Sequence, residues 1–148
     1  MERQTALSDQ VRAFLARARR AHLATASADG APHVVPVCFA VLDPGTLVFA
    51  IDDKPKAPGR ALKRLRNLSE NPRFALVVDH WDEDWRRLGY VLVSGRGALV
   101  ADAVRRGAAV QALRARYPQY VAMSLDGARH AVVALAIEHV HVWGRLEP

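Results

Sequence analysis

The segment from Ile51 to Phe74, IDDKPKAPGRALKRLRNLSENPRF, concentrates positive charge in a short part of the chain. It holds seven Lys or Arg residues against three acids. The whole chain has a net charge of +6 and a pI near 10.2, which favours anionic partners. These could be nucleic acid, an acidic membrane surface, or a phosphorylated or polycarboxylate small molecule, and charge alone does not choose among them.

Helix signals divide the basic segment into two faces. Pro58 and Gly59 favour a helix start and Pro72 a helix end, so we predict a short helix over Arg60–Ser69. Helical spacing then separates an apolar stripe from a cationic strip. The stripe holds Ala61, Leu62, Leu65 and Leu68, and the strip holds Arg60, Lys63, Arg64 and Asn67.

The start of this helix is a candidate phosphate site. Lys54 and Lys56 lie in the loop that leads to it, and free N–H groups and the helix dipole favour an anion there. Lys63 or Arg64 would complete the site. The alternative is a solvated basic helix whose charges contact only water.

The elements around the segment alternate between strand and helix patterns. Most are predicted strands, in which apolar residues recur at every second position. We therefore predict a single, mainly β domain over residues 1–148. Its expected fold is a small antiparallel barrel of six or seven strands with two or three helices. The predicted helices besides the basic one cover Ser8–Arg19 and Ala103–Arg116. The predicted strands cover residues 21–27, 32–42, 46–51, 73–80 and 88–100, with one or two more in 130–144.

Three small or rigid residues carry positional information. Pro36 inside the second strand lacks an N–H, which places that strand at a sheet edge, at a bulge, or where its backbone faces something other than a strand. Gly95 and Gly97 indicate a bulge or bend in a long strand. A curled sheet of this kind is what a barrel requires.

Motifs for metal or acid–base catalysis are lacking in the sequence, with no GxSxG, CxxC, HExxH, Walker or GxGxxG pattern in the expected context. His139 and His141 form an H-x-H without an identifiable third ligand, so we predict strand packing and no metal site. The acidic loop DHWDEDW resembles either an amphipathic flap or a solvated loop. We therefore predict no catalytic side chain.

The chain lacks the patterns of membrane and secreted proteins. No apolar stretch reaches the about 18 residues needed to span a bilayer, and the N-terminus does not resemble a signal peptide. The single Cys38 cannot form an internal disulfide and is predicted to pack in the core. We predict a cytoplasmic protein without membrane contact, and without nucleic-acid contact because the basic residues lack interleaved exposed aromatics.

An ordered set of segments resembles the split β-barrel flavin and deazaflavin oxidoreductases, the superfamily of pyridoxamine 5′-phosphate oxidase. The segments are HLATASADGAPHVVPVCFAV, TLVFAIDDKPK, LKRLRNLSENPRFALVVDHWDEDW and VLVSGRGALV. DDKPK and DHWDEDW most resemble an actinobacterial branch assigned to coenzyme F420. The resemblance covers about residues 21–100, and the C-terminal third matches in outline.

The resemblance implies a homodimer with the cofactor in the groove between two FMN-binding-type split barrels. It implies that the flavin-like ring lies against the backbone of the second strand, at Val34, Val35, Pro36 and Val37. It also implies that the basic segment binds the phosphate through Lys54, Lys56, Lys63 and Arg64, with the main ligand open between Lys63 and Arg64. Arg60, on the same cationic strip, is a further predicted cofactor-binding residue. Trp85 and Arg86 would be contacts from the second subunit.

The implied function is a coenzyme F420-dependent oxidoreductase that transfers hydride to a small unsaturated substrate. F420 carries a phosphodiester and an oligoglutamate tail, which a broad cationic strip suits better than it suits the single phosphate of FMN. The alternatives are an FMN-dependent enzyme of the pyridoxamine phosphate oxidase type and a non-enzymatic protein that binds or carries the deazaflavin.

Overall fold

The apolar strands of the chain pair into one seven-stranded antiparallel sheet. The computed structural model describes residues 4–52, 60–125 and 130–148, and only the backbone of residues 60–62. The strands are β1 (Ala21–Ala26), β2 (Pro32–Val37), β3 (Ala40–Asp43), β4 (Thr46–Ala50), β5 (Arg73–His80), β6 (Gly89–Leu99) and β7 (Val132–Gly144). The helices are α1 (Asp9–Arg17), α2 (Arg60–Glu70) and α3 (Ala103–Arg116), with short 3₁₀ turns at Trp85–Arg87 and Pro118–Tyr120.

The order of strands in the sheet is β2-β1-β5-β6-β7-β4-β3, so β2 and β3 lie at its two ends. The predicted fold class, a mainly β antiparallel split barrel with helices, is confirmed. The single strand predicted over residues 32–42 is instead two strands. The ladder of β2 with β1 ends at Val37, and β3 begins at Ala40 to pair with β4 at the other end of the sheet.

The β1–β2 hairpin turns where the sequence predicts it. Gly30 has a φ of 87°, which glycine adopts without strain. The amide of Ala31 donates to the Ser27 hydroxyl, and the amide of Ser27 donates back to the Ala31 carbonyl. The turn therefore fixes the register that pairs Leu23 with Val35.

Two apolar cores lie on opposite sides of the sheet. The larger one is the barrel interior, where Leu23, Phe49, Leu76 and Leu135 are fully buried together with side chains of α1. In the smaller one Leu113 of α3 packs with residues of β3 and β4 and with the following 3₁₀ turn. β4 is buried along its whole length because both cores use it.

The predicted helices are confirmed with small changes at their ends. The Ser8 side chain accepts from the amide of Val11 and caps α1, which ends two residues earlier than predicted, at Arg17. α3 covers the predicted residues and is capped by Asp102. Within the described residues, none of the helices is long and apolar enough to cross a membrane.

A β-bulge lies between β6 and β7 at the predicted glycine, with the extra residue, Glu138, in β7. The register between β6 and β7 shifts between Ser94 and Gly95. A Cβ added to Gly95 would lie 1.9 Å from the carbonyl oxygen of Ala136. Gly95 is therefore required because the backbone of β7 occupies the place of a side chain.

We expect Gly95→Ala to lower the free energy of unfolding by about 2 kcal/mol or more, because the clash is with backbone. Gly107→Ala is the matched control, since an added Cβ there has no heavy atom within 4 Å and lies inside α3. It should stabilise the protein by about 0.5–1 kcal/mol. Urea unfolding measures both, and equal effects of the two substitutions would contradict the role given to Gly95.

Candidate functional site

Helix α2 packs against β1 through its C-terminal half. Leu68 is buried in the barrel core, and Leu65 is partly buried against it. Gly97 of β6 makes room for the Leu68 side chain, since a Cβ on Gly97 would lie 3.2 Å from Leu68 Cδ2. The predicted apolar stripe is thus confirmed for these two leucines, and the side chains of Ala61 and Leu62 lie outside the described residues.

Asn67 corrects the predicted cationic strip. It is 0% exposed and its amide nitrogen donates to the Thr25 hydroxyl of β1 at 3.0 Å. The helical wheel placed Asn67 beside the basic residues because spacing does not distinguish a polar surface residue from a buried hydrogen-bonded one. Asn67 is therefore an anchor of the helix and not a ligand-facing residue.

Lys63 and Arg64 lie in different environments on α2. Lys63 is exposed, and its charge helps to lower the pKa of Asp29 on the β1–β2 turn, an effect that comes mainly from the hydrogen bond of Ser27. Arg64 is half-buried, and burial lowers the pKa of its guanidinium while the charge of Asp52 opposes that shift. Arg64 Nε is buried and has no hydrogen-bond partner among the described residues.

An orphaned guanidinium nitrogen fits an anionic ligand. A buried donor without an acceptor costs free energy, and a charged donor costs more than a neutral one. A phosphate oxygen would satisfy Arg64 Nε with a charge-assisted hydrogen bond. Of the predicted phosphate residues, Lys54, Lys56 and the side chain of Arg60 lie outside the described residues.

Strand β2 is an edge of the sheet next to β1, the strand on which α2 packs. It pairs only with β1 in the described sheet, so of the three placements left open for Pro36 the structure shows the sheet edge. The Val34 side chain is 64% exposed, whereas the Val37 side chain is buried in the core. Pro32 and Pro36 lie four residues apart and occupy equivalent positions in the ladder, where a proline costs nothing if the pair exchanges no hydrogen bonds.

Trp85 lies away from this site within one chain. Thr25, which binds α2, is next to the Ala24–Ala75 pair, whereas Trp85 follows the other end of β5 beyond His80. His80 lies five positions beyond Ala75 along β5, a distance of about 17 Å. The Trp85 side chain is 72% exposed, so it meets α2 only if a second copy brings it there.

The side chains of the acidic loop around Trp85 form hydrogen bonds with one another. Arg86 binds both carboxylate oxygens of Asp84 at 2.9 Å, and Trp81 Nε1 donates to Glu83 Oε1. The bound Arg86 lowers the pKa of Asp84. In the part of the chain that the structure describes, His, Cys, Asp and Glu side chains form no group of three suited to a metal.

A cleft of about 390 Å³ lies on the Trp85 side of the sheet. It is lined by Phe14, Arg17, Ala18, Val78, Asp79, His80, Arg87, Arg145, Glu147 and Pro148. None of these residues belongs to α2 or β2. The cleft is therefore formed by parts of the chain other than the basic helix and β2.

A polar pair next to α2 was not predicted from the sequence. The Tyr120 hydroxyl, from the turn after α3, donates to Asp52 Oδ2 just beyond β4. Asp52 directly precedes the basic loop, which could have drawn attention to it. No spacing in the sequence connects it with Tyr120, 68 residues away.

Comparison with known proteins identifies the family. The profile of a protein family described as pyridoxamine 5′-phosphate oxidase matches residues 7–144. The chain belongs to this family. Among curated proteins, none matches the chain significantly.

Solved structures share the pyridoxamine 5′-phosphate oxidase fold with this chain at low identity. A conserved hypothetical protein from Mycobacterium tuberculosis has a TM-score of 0.72 at 19% identity, over 97% of this chain and 89% of its own. An FAD-binding protein from Mesorhizobium loti has a TM-score of 0.66 at 24% identity, over 96% of this chain and 97% of its own. A heme binding protein from Mycobacterium smegmatis has a TM-score of 0.73 at 20% identity, over 92% of this chain and 53% of its own.

We expect Asn67→Ala to lower the free energy of unfolding by about 1–3 kcal/mol, because it removes the buried hydrogen bond that joins α2 to β1. Ser69→Ala is the control on the same helix, where only an exposed hydrogen bond to the Arg66 carbonyl is lost. Its effect should stay within about 0.5 kcal/mol. Urea unfolding that gave the same loss for both variants would contradict the anchoring role of Asn67.

Proposed function

We propose that this protein is a cytoplasmic, single-domain, homodimeric oxidoreductase that binds coenzyme F420 and transfers hydride to a small unsaturated substrate. The observation that carries the proposal is the half-buried Arg64 with its orphaned Nε, on a basic helix that packs on β1, the neighbour of the edge strand β2. Membership in the pyridoxamine 5′-phosphate oxidase family supports a redox cofactor of flavin type.

Lys63 and Arg64 would share the anionic part of the cofactor unequally. Arg64 would hold the phosphate, because its buried Nε lacks an acceptor and a guanidinium matches phosphate geometry. Lys63 is exposed, so water and salt screen its charge, and it would attract a flexible acidic tail more weakly. Lys54, Lys56 and Arg60 remain predicted contacts of the same kind.

Strand β2 would support the ring. Its free edge at Val34, Val35 and Pro36 offers backbone polar groups next to an exposed valine side chain. A flat conjugated ring with polar atoms at its rim suits such an edge. This chain would then bind and orient the ring and keep water from one side of it, which is the part of catalysis a protein supplies to a hydride carrier.

A second copy of the chain would close the site. Leu92, Val142 and Trp143 are large apolar side chains at least 36% exposed on β6 and β7, and Trp143 stacks on Tyr90 with ring centroids 5.7 Å apart. Covering such residues favours association. The same association would allow Trp85 or Arg86 of the partner subunit to approach the cofactor.

The chemistry needs no acid–base pair from the protein. When bound, a reduced deazaflavin supplies the hydride from one ring carbon, and water can provide the proton that balances it. An FMN-dependent enzyme is the alternative, supported by the family and by the similarity to a FAD-binding protein. A carrier of the deazaflavin would bind it equally well but would not speed its oxidation by any substrate.

The first test is a fluorescence polarisation titration of the protein with oxidised F420, at low and moderate salt. FMN and hemin serve as competitors, the latter because one similar structure is described as heme binding. Selective F420 binding supports the proposal. Preference for FMN or hemin, or binding of none, would overturn the F420 assignment.

We expect Arg64→Gln to weaken F420 binding about tenfold or more, because it removes a charge-assisted hydrogen bond. Arg66→Gln is the matched control, since it makes the same change of net charge at an exposed position of α2. Its effect at moderate salt should be less than about threefold. The loss of F420 affinity for Lys63→Gln should lie between those of the other two variants. Equal losses of affinity for Arg64→Gln and Arg66→Gln would show that only the overall charge of the helix matters.

A further inference from the structure

A polar cavity of about 210 Å³ lies at the bulge between β6 and β7. Its polar side chains come from three neighbouring strands. They are Arg73 of β5, Ser94 and Arg96 of β6, and Glu138 and His139 of β7. None of the residues that line it belongs to α2 or β2, and none lines the cleft near Trp85. The cavity is therefore a separate feature of the molecule.

The register of the strands brings these side chains together. Arg73 lies directly opposite Arg96 in the β5–β6 ladder, and Ser94 lies directly opposite His139 in the β6–β7 ladder. Directly opposite residues share a face of the sheet, with Cβ atoms about 4.5–5.5 Å apart. Ser94 and Arg96 are two positions apart on β6, so they also share that face. Four side chains that can donate hydrogen bonds thus line one small cavity.

The bulge adds a carboxylate to the cavity. Successive residues of a regular strand point to opposite faces, yet both Glu138 and His139 line the cavity. They can do so because Glu138 is the extra residue of β7. Bulges re-aim side chains in this way and are frequent beside functional sites. Here the bulge gives Arg96 a partner, with Glu138 Oε1 3.3 Å from Arg96 Nε.

The charges that line the cavity do not cancel. Like charges directly opposite each other in a sheet are destabilising, and Arg73 lies opposite Arg96. Glu138 neutralises Arg96, but the ion pairs among the described residues include none of Arg73. An uncompensated guanidinium therefore remains beside a hydroxyl and an imidazole, both of which can donate hydrogen bonds.

We propose that this cavity binds a phosphate group, either as inorganic phosphate or as part of a phosphorylated small molecule. Donors from three strands suit the tetrahedral oxygens of phosphate better than the two coplanar oxygens of a carboxylate, and arginine can bind two phosphate oxygens at once. The volume of about 210 Å³ is below the about 300–1,000 Å³ of sites that enclose a whole ligand. The inference goes beyond the proposed function and does not depend on it.

The test is a titration of the protein with inorganic phosphate at constant ionic strength, followed by amide NMR spectra. We expect saturable shifts of the Ser94, Gly95 and His139 amides and of the Arg73 Nε–H signal. Sodium chloride at the same ionic strength should give none. Phenyl phosphate is the second ligand, and tighter binding of this monoester assigns the site to a phosphorylated small molecule, whereas tighter binding of inorganic phosphate assigns it to the free ion.

Arg73→Gln is the decisive variant, because it removes the uncompensated guanidinium and leaves the Arg96–Glu138 pair in place. We expect it to weaken phosphate binding, measured at the Gly95 amide, about tenfold or more through the loss of a charge-assisted hydrogen bond. Arg20→Gln is the matched control, since it makes the same change of net charge at an exposed residue outside the cavity. Its effect should be less than about threefold.

Ser94→Ala tests the geometry of the site without changing its charge. We expect it to weaken phosphate binding about threefold or more, because a hydrogen bond is lost. Ser69→Ala, at an exposed position of α2, is its control and should have no effect. Thermal melts establish that each variant is folded.

Three results would overturn the phosphate site. The first is the absence of saturable shifts at the cavity, and the second is an equal loss for Arg73→Gln and Arg20→Gln. The third is a loss at the Gly95 amide in Arg64→Gln as large as the loss in Arg73→Gln, because the shifts would then report binding at the basic helix. An unchanged affinity in Ser94→Ala would reduce the site to attraction by charge and would contradict the proposed geometry.

Discussion

The hydrogen bond between Asn67 and Thr25 is the interaction on which the site geometry depends. It holds α2 against β1 from a fully buried position, and Leu68 packs beside it into the barrel core. These two contacts fix the rotation of the helix about its own axis. Because that rotation is fixed, Arg64 lies at the boundary between core and solvent, where a guanidinium keeps its charge and still lacks one acceptor.

The edge of the sheet is the second constraint. A strand at the end of a sheet exposes backbone donors and acceptors, and proteins usually protect such an edge. Here prolines at residues 32 and 36 remove two donors, and the bulge of β7 opposite Gly95 increases the local twist of the sheet. The edge of β2 is left open next to β1, the strand on which α2 packs.

Most of the fold could be predicted from the sequence because local patterns carry it. The Ser8 cap, the Asp29–Gly30 turn and the boundaries of β5 and α3 follow from capping, turn chemistry and periodicity. The break between β2 and β3 could not be predicted, since an apolar run does not show where a strand changes its partner. Asn67 and the Asp52–Tyr120 pair were missed for a related reason, because each depends on a contact between residues far apart in the chain.

In the proposed function an anionic group of the cofactor would bind Arg64, with the ring along the edge of β2. A crystal structure of the protein with oxidised F420 tests it most directly. The account predicts a phosphate oxygen within hydrogen-bond distance of Arg64 Nε and the deazaflavin ring along Val34 to Val37. A phosphate bound elsewhere, for example in the cleft lined by Arg17, Arg87 and Arg145, would contradict it.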